Sequence, residues 1–221
     1  MAPEMQVGGL ERAHMIAIVD YKAGNLTSVK LAFEAIGVEA VITDHPQTIL
    51  QADRVVFPGV GAAGASMRHL ADLNLVDVLQ RVVARGTPFL GICVGMQVLF
   101  ERSEEDGGTP TLGFIPGQVR LFRPVNPADK VPQIGWNTVQ FRRTHPVFAG
   151  VEDETEFYFV HSYYPMTLNP GDCVGVTAYA GVEFTSVVGR DNLVATQFHI
   201  EKSGRVGLKV FENFSRWDGT C

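Results

Sequence analysis

The first half of the chain alternates short apolar runs with segments in which apolar residues recur at helical spacing. Four continuous apolar runs have the length of strands: residues 15–19, 40–42, 55–57 and 88–92. Apolar side chains recur every three or four residues from Leu26 to Ile36 and across one long region from Met67 to Gly86, as they do on one face of a helix. A further helix is predicted over residues 94–100. Buried strands that alternate with helices predict an α/β fold with a mostly parallel central sheet flanked by helices.

The second half has a different pattern. From Phe114 onward, β-branched and aromatic residues alternate with polar ones, and Gly, Asn or Pro interrupts every few residues. This alternation predicts short strands with tight turns at Ala180-Gly181 and Asp191-Asn192. The predicted elements are strands over residues 156–164, 173–179, 182–188 and 193–198, and a last helix over 204–214. We therefore expect one domain over residues 15–221, whose second half is an antiparallel or mixed β extension.

Composition and charge narrow the classes of function. The 221 residues carry 18 Lys+Arg against 24 Asp+Glu, a formal net charge of -6, and this acidic balance argues against a nucleic-acid partner. No run approaches the roughly 20 apolar residues that span a bilayer. Residues 1–14 lack the apolar centre of a secretory signal, and we expect them to be a disordered extension. Three scattered cysteines indicate a reducing compartment, so the sequence predicts a cytoplasmic protein without a membrane partner.

Cys93 is the strongest candidate nucleophile. It stands in Gly91-Ile92-Cys93-Val94-Gly95, between an apolar strand and a helical run, which is the G-x-S-x-G nucleophile elbow with Cys in place of Ser. Glycines on both sides permit a sharp strand-to-helix turn, and a helix N-terminus beside the sulfur favours the thiolate. The alternative is a small core cysteine packed between two glycines. The strand-turn-helix context favours the nucleophile.

A thiolate nucleophile needs a base, and the base needs an acceptor that orients it. Of six histidines, only His199 ends a strong apolar strand and has a carboxylate, Glu201, two residues on. Side chains at i and i+2 of an extended segment share a face, so Glu201 is predicted to orient His199 from the same strand end. Taken alone, the pair would be a loop histidine beside an exposed glutamate. His-x-Glu also begins a zinc-deaminase signature, but the P-C-x-x-C half is missing, and we expect no metal.

Residues 59–64 read Gly-Val-Gly-Ala-Ala-Gly, a literal G-x-G-x-x-G after the strand at 55–57. A dinucleotide-binding fold requires an acidic residue at the end of the next strand. This chain has Cys93 there, and Asp77, at about the right separation, lies in a helical pattern. We therefore interpret the loop as backbone donors suited to an oxyanion. A dinucleotide-binding regulatory domain, which would not be an enzyme, is the alternative.

The assembled motifs resemble the class I (triad) glutamine amidotransferases, and among these most closely the glutaminase subunits of imidazole glycerol phosphate synthase in histidine biosynthesis. Each motif alone is moderately specific for this family. Their combined order and spacing, over nearly the whole chain, are strongly specific for it. The matching segments are Val19-Asp20-Tyr21, Gly24-Asn25, Pro58-Gly59-Val60-Gly61, Leu90 to Gln97, Gly135-Trp136-Asn137, Val160 to Tyr164, Gln197-Phe198-His199 and Glu201-Lys202-Ser203.

The resemblance implies a role for each site residue. Cys93 would form a glutamyl thioester, His199 would be the general acid/base, and Glu201 its orienting carboxylate. The implied backbone oxyanion donors are Val94 and, after a peptide flip, the loop of Gly59, Val60 and Gly61. The implied substrate contacts are Gln97, Glu105, Ser162 and Tyr163, and the implied interface positions are Asn25, Trp136 and Lys202. Without the resemblance, Gln97 and Glu105 would be ordinary polar residues, Trp136 a core residue, and Lys202 a solvated charge.

The resemblance also implies glutamine as substrate, a (β/α)₈ cyclase as the partner that receives ammonia, and no cofactor. Three departures from the family pattern stand out: Ile200 replaces Pro, Lys22 replaces Gly, and Gln133-Ile134 replaces His-Met. None removes a catalytic group. The nearest rival is the glutaminase subunit of another ammonia-dependent synthase, such as that of pyridoxal phosphate synthesis, and a stand-alone cysteine peptidase is a third possibility.

Overall fold

The computed structural model describes residues 15–220, so the predicted disordered extension at 1–14 lies outside the described residues, as does Cys221. The helices are α1 (Leu26–Ala35), α2 (Pro46–Gln51), α3 (Ala63–Asp72), α4 (Leu75–Ala84), α5 (Val94–Gln97) and α6 (Gly204–Arg216). The strands are β1 (Ile16–Val19), β2 (Ala40–Thr43), β3 (Arg54–Gly59), β4 (Phe89–Cys93), β5 (Phe100–Ser103), β6 (Thr109–Pro110), β7 (Ile115–Leu121), β8 (Gln133–Phe141), β9 (Thr155–His161), β10 (Tyr163–Thr167), β11 (Cys173–Tyr179), β12 (Val182–Arg190) and β13 (Leu193–Thr196).

Nine strands form one mixed sheet in the order β2-β1-β3-β4-β13-β12-β11-β8-β9. The strands from β2 to β13 in that order run parallel, and each later strand is antiparallel to the one before it. The inner parallel strands are buried along their whole length, as expected for strands covered on both faces. Helix α1 packs with α6, and α4 packs with α2 and α3. The predicted α/β fold with a mixed β extension is confirmed.

A second, four-stranded sheet has the order β10-β7-β5-β6, and its strand β10 packs against β12 of the large sheet. The predicted strand over residues 156–164 is divided between the two sheets, because the chain leaves β9 after His161 and enters β10 at Tyr163. Ser162 lies at this crossing. A single predicted strand therefore supplies residues to both sheets, and Ser162 at its break lines the same cavity as Cys93.

Two helices differ in extent from the sequence prediction. The long helical region from Met67 to Gly86 is two helices, because Asn74 takes a left-handed conformation (φ 55°) between α3 and α4. The helix predicted over residues 94–100 ends at Gln97, and Phe100 instead begins β5, which pairs with β7. The short helix α2, which begins at Pro46, was not predicted. No helix among the described residues is long and apolar enough to cross a membrane.

The sheet order brings distant parts of the sequence to one edge. Strands β4 and β13 are parallel neighbours, with Ile92 beside Thr196. Carboxyl ends of parallel strands meet at the same edge of a sheet, which is where open α/β sheets bind ligands. Cys93 is the last residue of β4, and His199 follows β13 by three residues. The fold therefore places both at this edge.

Candidate active site

Cys93 lies in the sharp turn between β4 and α5. Its backbone angles are φ 56° and ψ −113°, outside the regions that side chains favour, as expected at a nucleophile elbow. The flanking glycines provide necessary space. A Cβ at Gly95 would overlap the carbonyl oxygen of Phe57 on β3, and a Cβ at Gly91 would lie 2.9 Å from the Cβ of Ala195 on β13. Close packing of three neighbouring strands therefore shapes the elbow.

His199 and Glu201 meet just beyond the end of β13. Glu201 Oε1 lies 2.6 Å from His199 Nδ1, and both side chains are buried. The prediction that the two share one extended strand end is wrong, because β13 ends at Thr196 and Ile200–Lys202 form a 3-10 turn that starts directly after His199. This tight turn, rather than strand periodicity, brings the carboxylate to the imidazole.

The main chain of His199 is anchored to β9. His199 N donates to Tyr158 O at 2.9 Å, Ser203 Oγ donates to His199 O at 2.7 Å, and Tyr158 N donates to Ser203 Oγ at 3.1 Å. The preceding Phe198 stacks on Phe157 with ring centroids 4.0 Å apart. Because its backbone and its neighbour are both fixed, the His199 ring has a defined position.

Asn25 contributes another hydrogen bond to the Glu201 carboxylate. Its Nδ2 donates to Oε1, the oxygen that His199 also faces. Asn25 has a left-handed backbone (φ 72°) just before α1, and its side chain does not cap that helix. Glu201 Oε2 is buried and has no hydrogen-bond partner among residues 15–220. The sequence predicted Asn25 only as an interface residue, so this contact in the loop after β1 was missed.

The surroundings of His199 favour its protonated form. Burial lowers the pKa of His199, but the negative charge of Cys93, its hydrogen bond to the ring, and the Glu201 carboxylate outweigh burial and raise the pKa to about 10. The imidazole therefore lies between a sulfur and a carboxylate and interacts with both. An imidazolium in this position stabilises a thiolate and can return a proton to a leaving group.

His161 is a second histidine at the same site, and its contacts argue against a role as base. Its Nδ1 lies 2.7 Å from Tyr163 O, and since a carbonyl only accepts, Nδ1 carries the proton. Burial lowers the pKa of His161 to about 4; the Tyr163 hydrogen bond opposes this shift, and the charge of His199 adds to it. Nε2 is buried and finds no hydrogen-bond partner in the described part of the chain. His161 therefore stays neutral near pH 7.

A cavity of about 250 Å³ lies over these groups. Most of the predicted site residues line it: Val60, Gly61, Cys93, Val94, Gln97, Glu105, Ser162, Tyr163, His199 and Lys202. Glu201 and Gly59 are not among the lining residues. Glu201 contacts the cavity-lining His199, and a Cβ at Gly59 would overlap the Tyr21 hydroxyl. Val160 and His161 also line the cavity and were not predicted as site residues, although they precede Ser162 and Tyr163 directly in the sequence.

Glu105 lies at one wall of the cavity and at the start of α3. Its Oε2 accepts a hydrogen bond from Ala63 N at 2.6 Å; burial raises the pKa of Glu105, and this hydrogen bond opposes the shift. Asp106 is also close, because a Cβ at Gly64 would lie 2.8 Å from its Oδ2. A dinucleotide fold would bind a pyrophosphate at this helix N-terminus. Two carboxylates at that place would repel it, so the dinucleotide-binding alternative does not fit this loop.

A partly apolar surface patch adjoins the cavity. Trp136 on β8 is 53% exposed, and its ring lies 6.0 Å from that of Tyr158 on β9. Lys202 Nζ lies 6.0 Å from the same Tyr158 ring, and Ile134, two residues before Trp136, is 65% exposed. We call Ile134, Trp136, Tyr158 and Lys202 the Trp136 patch. Trp136 is therefore not a core residue, and Lys202 connects the patch to the cavity.

The match to known families agrees with this geometry. The family model described as glutamine amidotransferase class-I matches residues 17–216. The chain belongs to the class-I glutamine amidotransferase family. Its relatives include the imidazole glycerol phosphate synthase subunit HisH of Chloroflexus aurantiacus, 48% identical over 92% of this chain and 96% of the relative. The HisH subunit of Methanocaldococcus jannaschii is 47% identical over 90% of this chain and 98% of the relative.

Solved structures of more distant proteins share the amidotransferase fold. The structure of PurLQS from Thermotoga maritima covers 93% of this chain and 99% of its own with a TM-score of 0.72 at 18% identity. The glutaminase domain of CTPS from Trypanosoma brucei covers 94% of this chain and 97% of its own with a TM-score of 0.62 at 15% identity. At these identities the likeness concerns the fold alone.

Two of the three departures from the family pattern have a local structural account. Ile200 is buried and is the first residue of the 3-10 turn after His199. Proline is accommodated at a first helical position because the missing N–H has no intrahelical acceptor there, so either residue can start this turn. Lys22 has φ 65°, a left-handed conformation that glycine adopts at lower cost. Gln133 is buried and Ile134 is exposed within the Trp136 patch.

Proposed function

We propose that this amidotransferase is the glutaminase subunit of imidazole glycerol phosphate synthase and supplies ammonia to a cyclase partner. The arrangement of Cys93, His199 and Glu201 at one cavity carries the proposal. Relatives at 47–48% identity over at least 90% of this chain bear that subunit's name. The same relatives favour this function over a glutaminase of pyridoxal phosphate synthesis and over a stand-alone peptidase.

The first half-reaction releases ammonia. The Cys93 thiolate attacks the side-chain amide carbon of glutamine, and a carbon–sulfur bond forms while the carbonyl oxygen becomes an oxyanion. The N–H of Val94 stands in the first turn of α5, where it has no intrahelical acceptor, and we assign it and the loop of Gly59, Val60 and Gly61 to that oxyanion. The His199 imidazolium then gives its proton to the nitrogen, the carbon–nitrogen bond breaks, and ammonia leaves.

The second half-reaction restores the enzyme. His199, now neutral, takes a proton from water, which attacks the thioester carbon. The carbon–sulfur bond breaks, the sulfur leaves as the Cys93 thiolate, and glutamate departs. Glu201 accepts from His199 Nδ1 throughout, which fixes the tautomer of the ring and stabilises the imidazolium in both steps.

The cavity walls fit glutamine. Glu105 is the only acidic side chain among the residues that line the cavity in the described chain, and its carboxylate suits the α-ammonium group. We assign further contacts with the substrate to Gln97, Ser162 and Tyr163, which line the same cavity.

The partner would dock on the Trp136 patch. Exposed apolar side chains beside a catalytic cavity are typical of a protein interface, and Trp136 and Lys202 belong to that patch. Asn25 is the third residue that we assign to the interface, and its contact with Glu201 would connect the interface with the catalytic carboxylate. Ammonia that reached bulk water would be protonated and would lose its nucleophilicity, which is a reason for direct transfer to a cyclase. We also propose a cytoplasmic location.

The test measures glutamate release by the purified chain, alone and with a (β/α)₈ cyclase and its nucleotide ligand. We expect a large increase when both are added. Cys93→Ala should lower the rate of the complex by at least about 10³-fold, because loss of the nucleophile removes both half-reactions. Cys173→Ala is the matched control and should leave the rate unchanged. A Cys93→Ala complex with the wild-type rate would contradict the proposal.

Growth assays separate the synthases. The gene should restore growth without histidine to a bacterium that lacks its own imidazole glycerol phosphate synthase glutaminase but carries a compatible cyclase. Restored growth of a pyridoxal auxotroph instead would support the rival synthase.

A further inference from the structure

The side chain of Gln197 lies between the nucleophile and the substrate-facing wall of the cavity. Gln197 follows β13 by one residue, is completely buried, and its backbone N donates to Ser186 O at 2.9 Å. Its Nε2 lies 3.8 Å from Cys93 Sγ, within the range of a hydrogen bond to sulfur. Its Oε1 lies 2.9 Å from Gln97 Nε2. None of the roles assigned above uses this amide.

The contacts determine which end of each amide faces which neighbour. Gln97 Nε2 also lies 2.9 Å from Tyr163 O, and a backbone carbonyl can only accept, so Gln97 must present its NH₂ group there. The same NH₂ group faces Gln197, which must therefore present its oxygen to Gln97. The NH₂ group of Gln197 is then left facing the sulfur. Reversing Gln97 would place two acceptors against each other, and reversing Gln197 would place its NH₂ group against that of Gln97, so the Tyr163 carbonyl fixes a donor at Cys93.

We propose that Gln197 is a further catalytic residue, whose amide N–H stabilises the Cys93 thiolate from inside the protein. The thiol and the thiolate have different partners: an S–H group can donate to Val160 O at 3.9 Å, whereas a thiolate can only accept. The Gln197 N–H can only donate, so it stabilises the thiolate more than the thiol. Because the Gln197 side chain is buried, no solvent competes for this hydrogen bond.

The donor acts at two points of the reaction that we propose above, and in this respect the inference rests on that proposed function. It stabilises the attacking thiolate before the carbon–sulfur bond forms. It stabilises the same charge again when the thioester is hydrolysed and the electron pair of the breaking bond returns to sulfur. Because the orientation of Gln197 depends on Gln97, a substrate that binds Gln97 contacts the same hydrogen-bonded chain that ends at the nucleophile.

The test measures alkylation of Cys93 by iodoacetamide as a function of pH, which requires neither glutamine nor a partner. Peptide mass spectrometry would follow Cys93 and Cys173 in the same molecules. Cys173 serves as the internal control because it lies on β11, which β12 separates from β13. Gln197→Glu keeps the shape and replaces the donor with an oxygen, and Gln197→Met removes the donor without adding charge. Gln80→Glu, on the exposed face of α4, is the matched control for the change in charge.

We expect Gln197→Glu to lower the alkylation rate of Cys93 at pH 7 at least about tenfold and to displace its pH profile to higher pH, and Gln197→Met to lower the rate about three- to tenfold. Cys173 should be unaffected, and Gln80→Glu should match the wild type. If circular dichroism shows that Gln197→Glu does not fold, the alkylation rate of Gln197→Met alone tests the proposal. An alkylation profile of Cys93 that neither variant changes would overturn the proposal, whether or not the protein hydrolyses glutamine.

Kinetics with glutamine would separate this role from a purely structural one. If Gln197 acts on the sulfur, Gln197→Met should lower kcat with KM nearly unchanged, and the loss should shrink as pH rises and the thiolate forms without help. An equal loss at every pH would indicate a packing effect and would also overturn the proposal.

Discussion

The buried ring of His161 gives a quantitative prediction about acid stability. It packs among Phe122, Phe159 and Phe184, with ring centroids 5.3–5.6 Å apart, and burial lowers its pKa from 6.5 to about 4. The unfolded chain therefore binds a proton at higher pH than the folded protein does. The folded state loses stability as pH falls below about 6.5, and the loss levels off below about pH 4. From these two pKa values the cost is about 2 kcal/mol at pH 5 and about 3 kcal/mol at pH 4.

His161→Phe removes this pH-dependent cost and keeps a ring in the aromatic cluster. At pH 7.5 the variant loses the hydrogen bond from Nδ1 to Tyr163 O, a loss of about 1 kcal/mol, although Gln97 still donates to that carbonyl. At pH 5 the avoided cost outweighs this loss, so the variant should be more stable than the wild type by about 1 kcal/mol. The two stability curves should cross near pH 6.

The assay is urea denaturation at several pH values from 7.5 to 5, with tryptophan fluorescence as the signal. His45→Phe makes the same chemical change at an exposed histidine before α2 and is the matched control for the substitution. Parallel curves for the wild type and His161→Phe would refute the assignment of a neutral, buried His161.

Two further predictions concern the segment between β1 and α1. Asn25→Ala should lower kcat of the reconstituted glutaminase about tenfold or more, because the buried Glu201 carboxylate loses the hydrogen bond that Asn25 donates. Hydrogen bonds to charged groups contribute about 1.5–3 kcal/mol. An unchanged kcat in steady-state assays would contradict this prediction. Lys22→Gly should stabilise the fold by about 0.5–1 kcal/mol in urea denaturation, since φ is 65° there and strain relief exceeds the added entropy of the unfolded chain. Lys30→Gly, within α1, should destabilise it by about 1 kcal/mol, and the same sign for both changes would show that strain at Lys22 is not the cause.

The parts of the site that depend on local sequence could be predicted from it. The elbow around Cys93 needs only a strand, two glycines and a helix start, and the pairing of His199 with Glu201 needs only their two-residue spacing. For His199 and Glu201 the pairing was predicted from an extended strand end, whereas a short turn follows His199. Apolar periodicity does not distinguish a strand that stops at Thr196 from one that stops at Phe198.

The contacts that depend on sheet order could not be predicted. Gln197 reaches Cys93 because β13 lies beside β4, and Asn25 reaches Glu201 because the loop after β1 ends near the same edge. The predicted extent of the helix over residues 94–100 was wrong for a related reason. Apolar residues at Val98 to Phe100 satisfy a helical period, but pairing between β5 and β7 decides their conformation.

The position of β13 has a consequence for how the protein is made. In the large sheet, β4 and β12 are joined only through β13, which is the last strand along the described part of the chain and is synthesised after all the others there. The four earlier parallel strands can pair while the chain is still growing, and Cys93 is then present without His199 and Glu201. Insertion of β13 completes the sheet and delivers the base in the same event. A nascent or truncated chain without β13 lacks the base, so we expect it to be inactive toward glutamine.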